Sequence, residues 1–283
     1  MPWLSSIPPL LPMLARGVLI VVALGALLFA CALVVQYLVH RHWLRSYGRA
    51  RELLYQGSSV LAEARFRDVA RVSYGFRRTV ALSGVAVCRL KQGAYAEAAA
   101  ILEPLSRQPL PRSLWLDEIA LHGHLALCLA MLGETRRASR LIHEACHRFN
   151  GMPTFLVMPW VAILCRDGHV GAALKFLDES WPLVVKDGLA CDRIRLLRAY
   201  AQSKVDPERH TASIILTLYG LAPFPKVEME FFREHWPVFA DFLQRGQELV
   251  ASREEARARR QAEEDAAWSA RARLSAPEDE SSG

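Results

Sequence analysis

One short string of residues in this sequence has the spacing of a catalytic motif. His143, Glu144 and His147 fit the pattern HExxH within residues 143–147. On a helix this spacing puts two imidazoles one turn apart, so that they can hold zinc while the glutamate acts as a general base. The string therefore offers one enzymatic function, that of a zinc metallopeptidase.

The residues around this string favour a surface position over a zinc site. Ile142 and Ala145 fill the packing side of the same helix, so both histidines are expected to project outward. Metzincins take a third histidine from a position that is Pro153 here. The sequence also contains no GxSxG, P-loop or GxGxxG pattern. It predicts that the chain is not an enzyme and holds no metal or cofactor.

The thiols give no sign of catalytic chemistry. Five cysteines lie outside the most apolar segment, which is an odd number, and no two of them form a CxxC pair. This usage is typical of reduced thiols in the core of a cytosolic domain. The five are Cys88, Cys128, Cys146, Cys165 and Cys191.

The most apolar segment, residues 17–39, predicts a transmembrane helix. It contains no charged side chain and would extend about 34 Å as a helix, enough to cross the hydrocarbon core of a bilayer. A signal peptide would have a shorter apolar core after a basic region, and no basic region precedes this segment. Residues 28–31 resemble a lipobox, but Phe29 is bulky and the sequence stays apolar after Cys31. We therefore expect a short tail over residues 1–16 and a retained anchor.

Basic residues on the two sides of this segment predict its orientation. Arg16 alone precedes it, whereas four arginines follow it closely. Because basic residues stay on the cytoplasmic side, the larger C-terminal part should be cytoplasmic. The alternative, a periplasm-facing assembly factor, differs only in the side of the membrane. Arginine outnumbers lysine 30 to 5, which fits a high-GC bacterial gene and hence a bacterial inner membrane. The four arginines are Arg41, Arg45, Arg49 and Arg51.

After the membrane segment the pattern is helical. From Tyr47 to about Leu249, apolar residues recur at helical spacing, and no stretch alternates as strands do. Four glycines, each between two apolar helices, lie 36, 40 and 35 residues apart. A period of this length is typical of a helical solenoid. The glycines are Gly57, Gly93, Gly133 and Gly168.

Small and apolar residues recur at fixed distances from these glycines. Small residues at such positions let two paired helices approach closely. The alanines five residues after the glycines are Ala62, Ala98, Ala138 and Ala173. The residues nine after them are Phe66, Leu102, Ile142 and Leu177, and the residues seven before them are Ala50, Ala86, Ala126 and Val161.

With these residues the chain resembles the tetratricopeptide repeat (TPR) family over residues 43–182. The turn at residues 93–98, Gly-Ala-Tyr-Ala-Glu-Ala, carries the resemblance best, since the family often has a tyrosine two residues after the turn glycine. The resemblance implies stacked helix-turn-helix units over a domain at 40–182. It also implies helix contacts at Ala86, Gly93, Ala98, Ala126, Gly133, Ala138, Gly168 and Ala173.

In this family the first helices of the units line a concave groove that binds peptides, and the resemblance implies the same here. The lining is mostly apolar, so the expected guest is an extended apolar segment or an amphipathic helix of a partner protein. The same residues would equally suit packing between neighbouring helices, and the sequence leaves both interpretations open. The groove candidates are Val80, Ser83, Val87, Leu90, Lys91, Leu127, Met131, Phe155 and Met158.

Beyond residue 182 the period fades. Residues 183–250 are expected to form degenerate repeats or capping helices, because an end repeat must shield the core from water. The pattern predicts helices at 192–204 and 228–247, with Asp206 as an N-cap before Pro207.

Charged residues dominate the last segment, 251–283. It mixes arginines with acidic residues and has no apolar stripe, so we expect an exposed helix followed by a disordered end, with a tail that docks on a partner as the alternative. The formal net charge of the chain is +6, which is modest for 283 residues and does not predict nucleic-acid binding.

Together the apolar segment, the helical pattern and the spaced glycines predict an all-α, single-pass membrane protein whose TPR-like domain is a scaffold for protein–protein interaction.

Overall fold

The computed structural model describes residues 10–108, 110–188 and 191–274. Within these ranges the chain is all-α and has no β-strand, which confirms the predicted fold class at that level. The start of the predicted N-terminal tail, residues 1–9, and the predicted disordered end, residues 275–283, lie outside the described residues.

The chain divides into two compact units, residues 1–84 and 85–283. The first contains α1 (Leu10–Tyr55), α2 (Ser59–Arg71) and the beginning of α3 (Phe76–Lys91). Helices α1 and α2 pack together. The ring of Phe66 lies over Gly84 so closely that a Cβ there would come within 2.7 Å of it. The glycine therefore makes room for the ring.

The helices of the second unit pack in chain order. They are α4 (Tyr95–Ser106), α5 (Trp115–Leu132), α6 (Thr135–Arg148), α7 (Val157–Arg166), α8 (Val170–Lys186), α9 (Asp192–Val205), α10 (Pro207–Leu221), α11 (Lys226–His235) and α12 (Pro237–Leu274). Each helix from α4 to α9 contacts the next one. In addition, α7 contacts both α5 and α9. Helix α12 packs on α10 and α11.

The four turn glycines share one backbone geometry. Gly57, Gly93, Gly133 and Gly168 have φ angles of +83°, +80°, +90° and +83°, in the left-handed region that favours glycine. In every turn the residue after the glycine donates its N–H to the carbonyl five residues earlier, at 2.8–2.9 Å. The glycine N–H bonds to the carbonyl three residues earlier. This Schellman pattern ends one helix, and the next helix begins two residues after the glycine in all four cases.

The alanine five residues after each glycine is buried where the second helix begins. Ala62, Ala98, Ala138 and Ala173 have no exposed surface, and each donates its N–H to the carbonyl of the residue after the glycine at 2.9–3.0 Å. The residues nine after the glycines and those seven before them are at most 1% exposed. The period in the sequence is therefore also a period in hydrogen bonding and packing.

The C-terminal helices follow the prediction in part. The helix predicted at 192–204 is α9, and the side chain of Asp206 accepts a hydrogen bond from the N–H of Arg209 at 3.1 Å, which confirms the N-cap. The prediction of a single helix at 228–247 is wrong. The chain breaks at Trp236 into α11 and α12, because Pro237 lacks an N–H and disfavours helical geometry at the residue before it.

Two described helical segments are long and apolar enough to cross a membrane by length and composition alone. They are Val21–Tyr55, within α1, and Arg112–Leu132, which contains α5. The apolar window of the first has no buried residue, whereas 61% of the second is buried. Helix α5 is covered by α4, α6 and α7, and it forms the centre of their packing.

Candidate functional site

The structure buries the central residues of the predicted groove. Leu127 and Met131 have no exposed surface, and Leu90 and Val80 are 8% and 6% exposed. Leu127 and Met131 belong to α5, which is packed against helices on several sides. The prediction that these four side chains line an open groove is wrong, because they are core residues.

The other predicted groove residues are at least partly accessible. Ser83, Val87 and Met158 are half-buried, whereas Lys91 and Phe155 are exposed. Phe155 lies just before α7, and its backbone carbonyl lies 3.1 Å from the position of a Cβ on Gly123 of α5. It is the one exposed aromatic residue of the predicted set.

Helix α11 of the second unit contacts the turn at Gly93. A Cβ on Gly93 would lie 3.6 Å from Cβ of Glu228 in α11. The ring of Tyr95, two residues on, lies with its centroid 4.6 Å from that of Phe231 and 6.2 Å from that of Phe232. Residues of α11 therefore cover the Gly93 turn.

A single arginine links the next turn to the same C-terminal segment. Arg166, at the end of α7, donates to the backbone carbonyl of Met131 at 2.8 Å and to that of His235. Its guanidinium lies over the ring of Trp236 at 5.3 Å and close to Gly133. A cation at helix C-termini satisfies carbonyls that have no partner within the helix. Arg166 thus joins α5, α7 and the break between α11 and α12.

A buried ion pair lies at the contact between α4, α9 and α11. Arg193 pairs with Glu228, and their side chains are only 16% and 14% exposed. Arg193 also lies 5.3 Å from the ring centroid of Tyr95 and 5.9 Å from that of Phe232. The hydroxyl of Tyr95 donates to Glu228 at 3.5 Å. Burial raises the pKa of Tyr95 above its ordinary value of 10.0, so this hydroxyl stays protonated.

These groups pair with one another, and the protonated Tyr95 hydroxyl is not an activated nucleophile. The pair holds α11 against α9 and α4, and removing one partner would leave a charge in a largely dry environment. Sequence reasoning missed this cluster because Tyr95 and Glu228 are 133 residues apart. The aromatic residues of α11 were the only signal in that region, and they fit any amphipathic helix.

The zinc-like string lies on the outer face of α6. His143, Glu144 and His147 are exposed, whereas Ile142 just before them and Ala145 among them are buried. The ring of His143 makes an edge contact with Trp160, with centroids 5.5 Å apart. Within the described ranges, no three His, Cys, Asp or Glu residues converge where they could hold a metal ion.

All six cysteines are free. Cys88, Cys128 and Cys165 are buried, Cys146 is half-buried, and only Cys31 and Cys191 are exposed. Burial raises the pKa of Cys128 and of Cys165 to about 12, so both stay protonated at neutral pH. They are packing residues and not nucleophiles.

The first unit contains a large groove beside α1, with a volume of about 1270 Å³. We call it the α1 groove. Its α1 wall extends from Gln36, inside the apolar segment, to Gln56, near the end of the helix. Its other walls are α2 and the segment that leads from α2 into α3.

Arginines, aromatic residues and two acidic residues, Glu52 and Asp68, line the α1 groove. The arginines are Arg49 from α1, Arg65 from α2 and Arg77 from α3. The aromatic residues are Trp43, Tyr74 and Phe76, of which Tyr74 is 85% exposed. This groove was not predicted from the sequence, because it requires α1 and α2 to be placed side by side.

Trp43 has an unsatisfied donor at the wall of the α1 groove. Its ring stacks between His40 and Tyr47, with centroids 6.2 Å and 5.2 Å away. Its indole Nε1 is buried and has no hydrogen-bond partner among the described residues. Arg77 reaches across from α3 to His40 Nδ1 at 3.3 Å. The groove therefore combines cationic groups and exposed aromatic rings, and one of its lining residues, Trp43, carries a buried N–H without a partner.

Comparisons of the chain with protein-family models, with curated proteins and with solved structures find no match.

Proposed function

We propose that this chain is a membrane-anchored scaffold whose TPR-like solenoid of three or four units holds a protein partner at a bacterial inner membrane. The observation that carries the proposal is the identity of the four glycine turns. Each has the same two backbone hydrogen bonds, the same buried alanine and the same start of the next helix. Stacked units of this kind serve as extended binding surfaces and need no catalytic site.

The exposed side chains of α1 support the membrane anchor. Every residue from 21 to 39 is exposed, although the segment is almost entirely apolar. Each large aliphatic side chain left in water forfeits about 1.5–3 kcal/mol relative to an apolar environment. A bilayer provides that environment over the whole length of the segment. The other long apolar helix, α5, already has it from its neighbours.

We propose that the second unit lies in the cytoplasm. The four arginines after the anchor, against Arg16 alone before it, favour this orientation. The six free cysteines fit a reducing compartment. A reporter that is active only in the cytosol, fused after Gly283, should therefore be active. Activity of a periplasm-only reporter at that site would instead favour a periplasm-facing assembly factor.

The surface that we propose for the partner lies around the start of α5 and the segment before α7. Trp115 and Leu116 are 51% and 53% exposed, and Met152 and Phe155 are 40% and 38% exposed. The ring centroid of Trp115 lies 6.5 Å from that of Phe149. Exposed Trp, Phe and Met residues are enriched at protein interfaces. We call these five residues the Trp115 patch, and its apolar surface suits an apolar segment of another protein.

Site-directed photo-crosslinking in membranes tests the scaffold function. A photoreactive residue at Phe155 or at Trp115 should give discrete protein adducts. The same residue at Leu216, which is 74% exposed on α10, is the control. Adducts that are equal at all three positions, or absent from both positions of the patch, would contradict the proposed interaction surface.

A further inference from the structure

We propose that the α1 groove binds the phosphate headgroup of an anionic phospholipid from the bilayer in which α1 is anchored. This inference rests on the proposed membrane anchor. The acyl chains of the lipid would lie along the apolar part of α1, and its phosphate would lie among the arginines.

The groove is continuous with the apolar segment. Gln36, Val39, Trp43 and Ser46 form one stripe along α1, since they are three or four residues apart. At 1.5 Å per residue, the wall from Gln36 to Gln56 is about 30 Å long. One end of the groove therefore lies at the depth of the lipid chains, and the other extends beyond the headgroups.

Three separate elements bring cationic groups to this space. Arg49, Arg65 and Arg77 come from α1, α2 and α3. Two carboxylates, Glu52 and Asp68, also line the groove, so the three arginines leave it a net positive charge. In the described part of the chain, neither Arg49 nor Arg65 has an ion-pair partner, whereas Asp68 is 3.4 Å from Arg71 and Glu52 accepts a hydrogen bond from Gln56 at 3.4 Å. The planar guanidinium group forms paired hydrogen bonds with phosphate oxygens.

The direction of α1 brings these groups closer to the bilayer. In a helix the Cα–Cβ bonds tilt toward the N-terminus, and the N-terminal part of α1 is the part that would lie in the membrane. The side chain of Arg49 therefore starts toward the headgroup layer. A long arginine side chain can lie along apolar surface while its guanidinium reaches the polar boundary.

Trp43 supplies a second, independent reason for a ligand with oxygen acceptors. An unpaired buried N–H is costly, and the indole N–H of Trp43 faces this cost in the free protein. Trp43 lines the groove, so a small movement of its ring on ligand binding would let a phosphate or ester oxygen accept this hydrogen bond. Tryptophan is also typical of the membrane–water boundary, where one side of the ring is apolar and the other is wet.

The apolar end of the groove favours a lipid over a soluble anion. Leu38 and Val39 lie at that end and are 54% and 52% exposed. Inorganic phosphate would gain nothing from these residues, whereas an acyl chain would cover them. The ligand chemistry is therefore a phosphate joined to an apolar chain.

The test measures lipid binding by the full chain. Protein purified in a neutral detergent is titrated with dioctanoyl phosphatidylglycerol or with dioctanoyl phosphatidylcholine, and bound lipid is counted by native mass spectrometry. We expect at least about tenfold tighter binding of phosphatidylglycerol. The combined variant Arg49→Gln, Arg65→Gln and Arg77→Gln should lose that preference, and Trp43→Phe should weaken it about two- to fivefold.

A matched variant controls for net charge. Arg41, Arg45 and Arg78 are exposed and do not line the groove, so Arg41→Gln with Arg45→Gln and Arg78→Gln removes the same charge next to the same membrane. It should bind as the wild type does. Equal losses in both triple variants would overturn the proposal, because binding would then follow net charge alone. Full competition by inorganic phosphate, or no preference in the wild type, would overturn it too.

Carbonate extraction of membranes separates this inference from the function on which it rests. Wild-type protein that stays in the membrane but shows no preference for phosphatidylglycerol refutes only the lipid site. Wild-type protein released by carbonate refutes the anchor, and the lipid site with it. Circular dichroism of the groove variant checks that the helices are intact, and Trp43→Phe, which keeps the aromatic ring, provides a second test if the triple variant unfolds.

Discussion

Helices α1 and α5 show how two similar apolar segments can have opposite environments. Both pass the same test of length and composition for a membrane span. The apolar window of α1 is fully exposed, whereas most of the window that contains α5 is buried among α4, α6 and α7. Hydropathy alone does not separate the two, because a core helix and a membrane helix need the same apolar side chains.

The polar residues of the two segments make the difference visible. Residues 17–39 of α1 contain no charged side chain. Helix α5 begins with Asp117 and Glu118, and the largely buried carboxylate of Glu118 pairs with Arg148 of α6 at 2.5 Å. An ion pair of this kind needs a partner helix and a water-accessible edge. The comparison therefore indicates a core position for α5, while α1 requires an environment that the rest of its unit does not supply.

Introducing a charge into each helix should give the largest and most different effects. Leu127→Arg in α5 places an unpaired charge where no surface is exposed, so we expect the second unit to lose more than about 4 kcal/mol of stability. Leu28→Arg with Val35→Arg in α1 should leave the fold of the second unit intact. It should weaken membrane insertion by roughly 2.5–3.5 kcal/mol per arginine. Thermal melting and carbonate extraction measure the two effects.

The two outcomes must differ in kind for the comparison to hold. If Leu127→Arg left the melting temperature unchanged, α5 would not be a core helix. If the two arginines in α1 unfolded the second unit without changing extraction, α1 would not be an independent anchor.

The next largest effects are expected at the alanines of the helices that cover α5. Ala98 in α4 and Ala138 in α6 have no exposed surface, so replacing either with leucine should cost about 1–3 kcal/mol through overpacking. Ala212→Leu on the exposed side of α10 is the matched control and should change stability by less than about 0.5 kcal/mol. Urea unfolding of the three variants gives the comparison. Equal stability of all three would remove the packing argument for the repeats.

The local features of the four glycine turns could be predicted from the sequence. A turn glycine ends one helix, and the alanine five residues later is buried at the start of the next. Both effects are local, so the spacing of the two residues in the sequence is enough to predict them. The Asp206 cap is local in the same way. The break at Trp236 is also local, since Pro237 follows it, but the apolar pattern of 228–247 continues across the proline and predicts one helix.

The long-range features could not be predicted in this way. Helix α5 is apolar nearly all round, and such a pattern does not say which side faces a groove. Leu127 and Met131 were therefore assigned to a surface that the fold does not expose. The ion pair of Arg193 with Glu228 joins two helices far apart in the chain, and the α1 groove depends on how α1 and α2 pack. No spacing in the sequence encodes these contacts.

A half-buried histidine, His124, makes α5 sensitive to acid. Burial lowers the pKa of His124 from 6.5 to about 4, and its Nδ1 has no partner among the described residues. The folded protein therefore binds fewer protons than the unfolded chain between these values, and stability falls as the pH drops from 6.5 to 4. Because the residue is only half-buried, we expect a loss of about 1–2 kcal/mol over this range.

His124→Gln should reduce the slope of stability against pH, as measured by urea unfolding. His147→Gln, at an exposed position, should keep the wild-type slope, and an unchanged slope in His124→Gln would contradict the assignment.

The smallest effect is expected on the outer face of α6, whose inner face covers α5. His143 and His147 are exposed, and the one ring contact is that of His143 with Trp160. Replacing both with alanine should change stability by less than about 0.5 kcal/mol, whereas Ile142→Ala on the inner face, at 1% exposure, should cost about 2–5 kcal/mol. Metal analysis of the purified protein accompanies the unfolding experiment, because a zinc site would link the two. Stoichiometric zinc that disappears in the double variant, together with a peptidase activity and a large loss of stability, would make α6 a catalytic helix. Unchanged stability and no bound zinc are the results that we expect. They would mean that α6 serves to pack its buried face against α5.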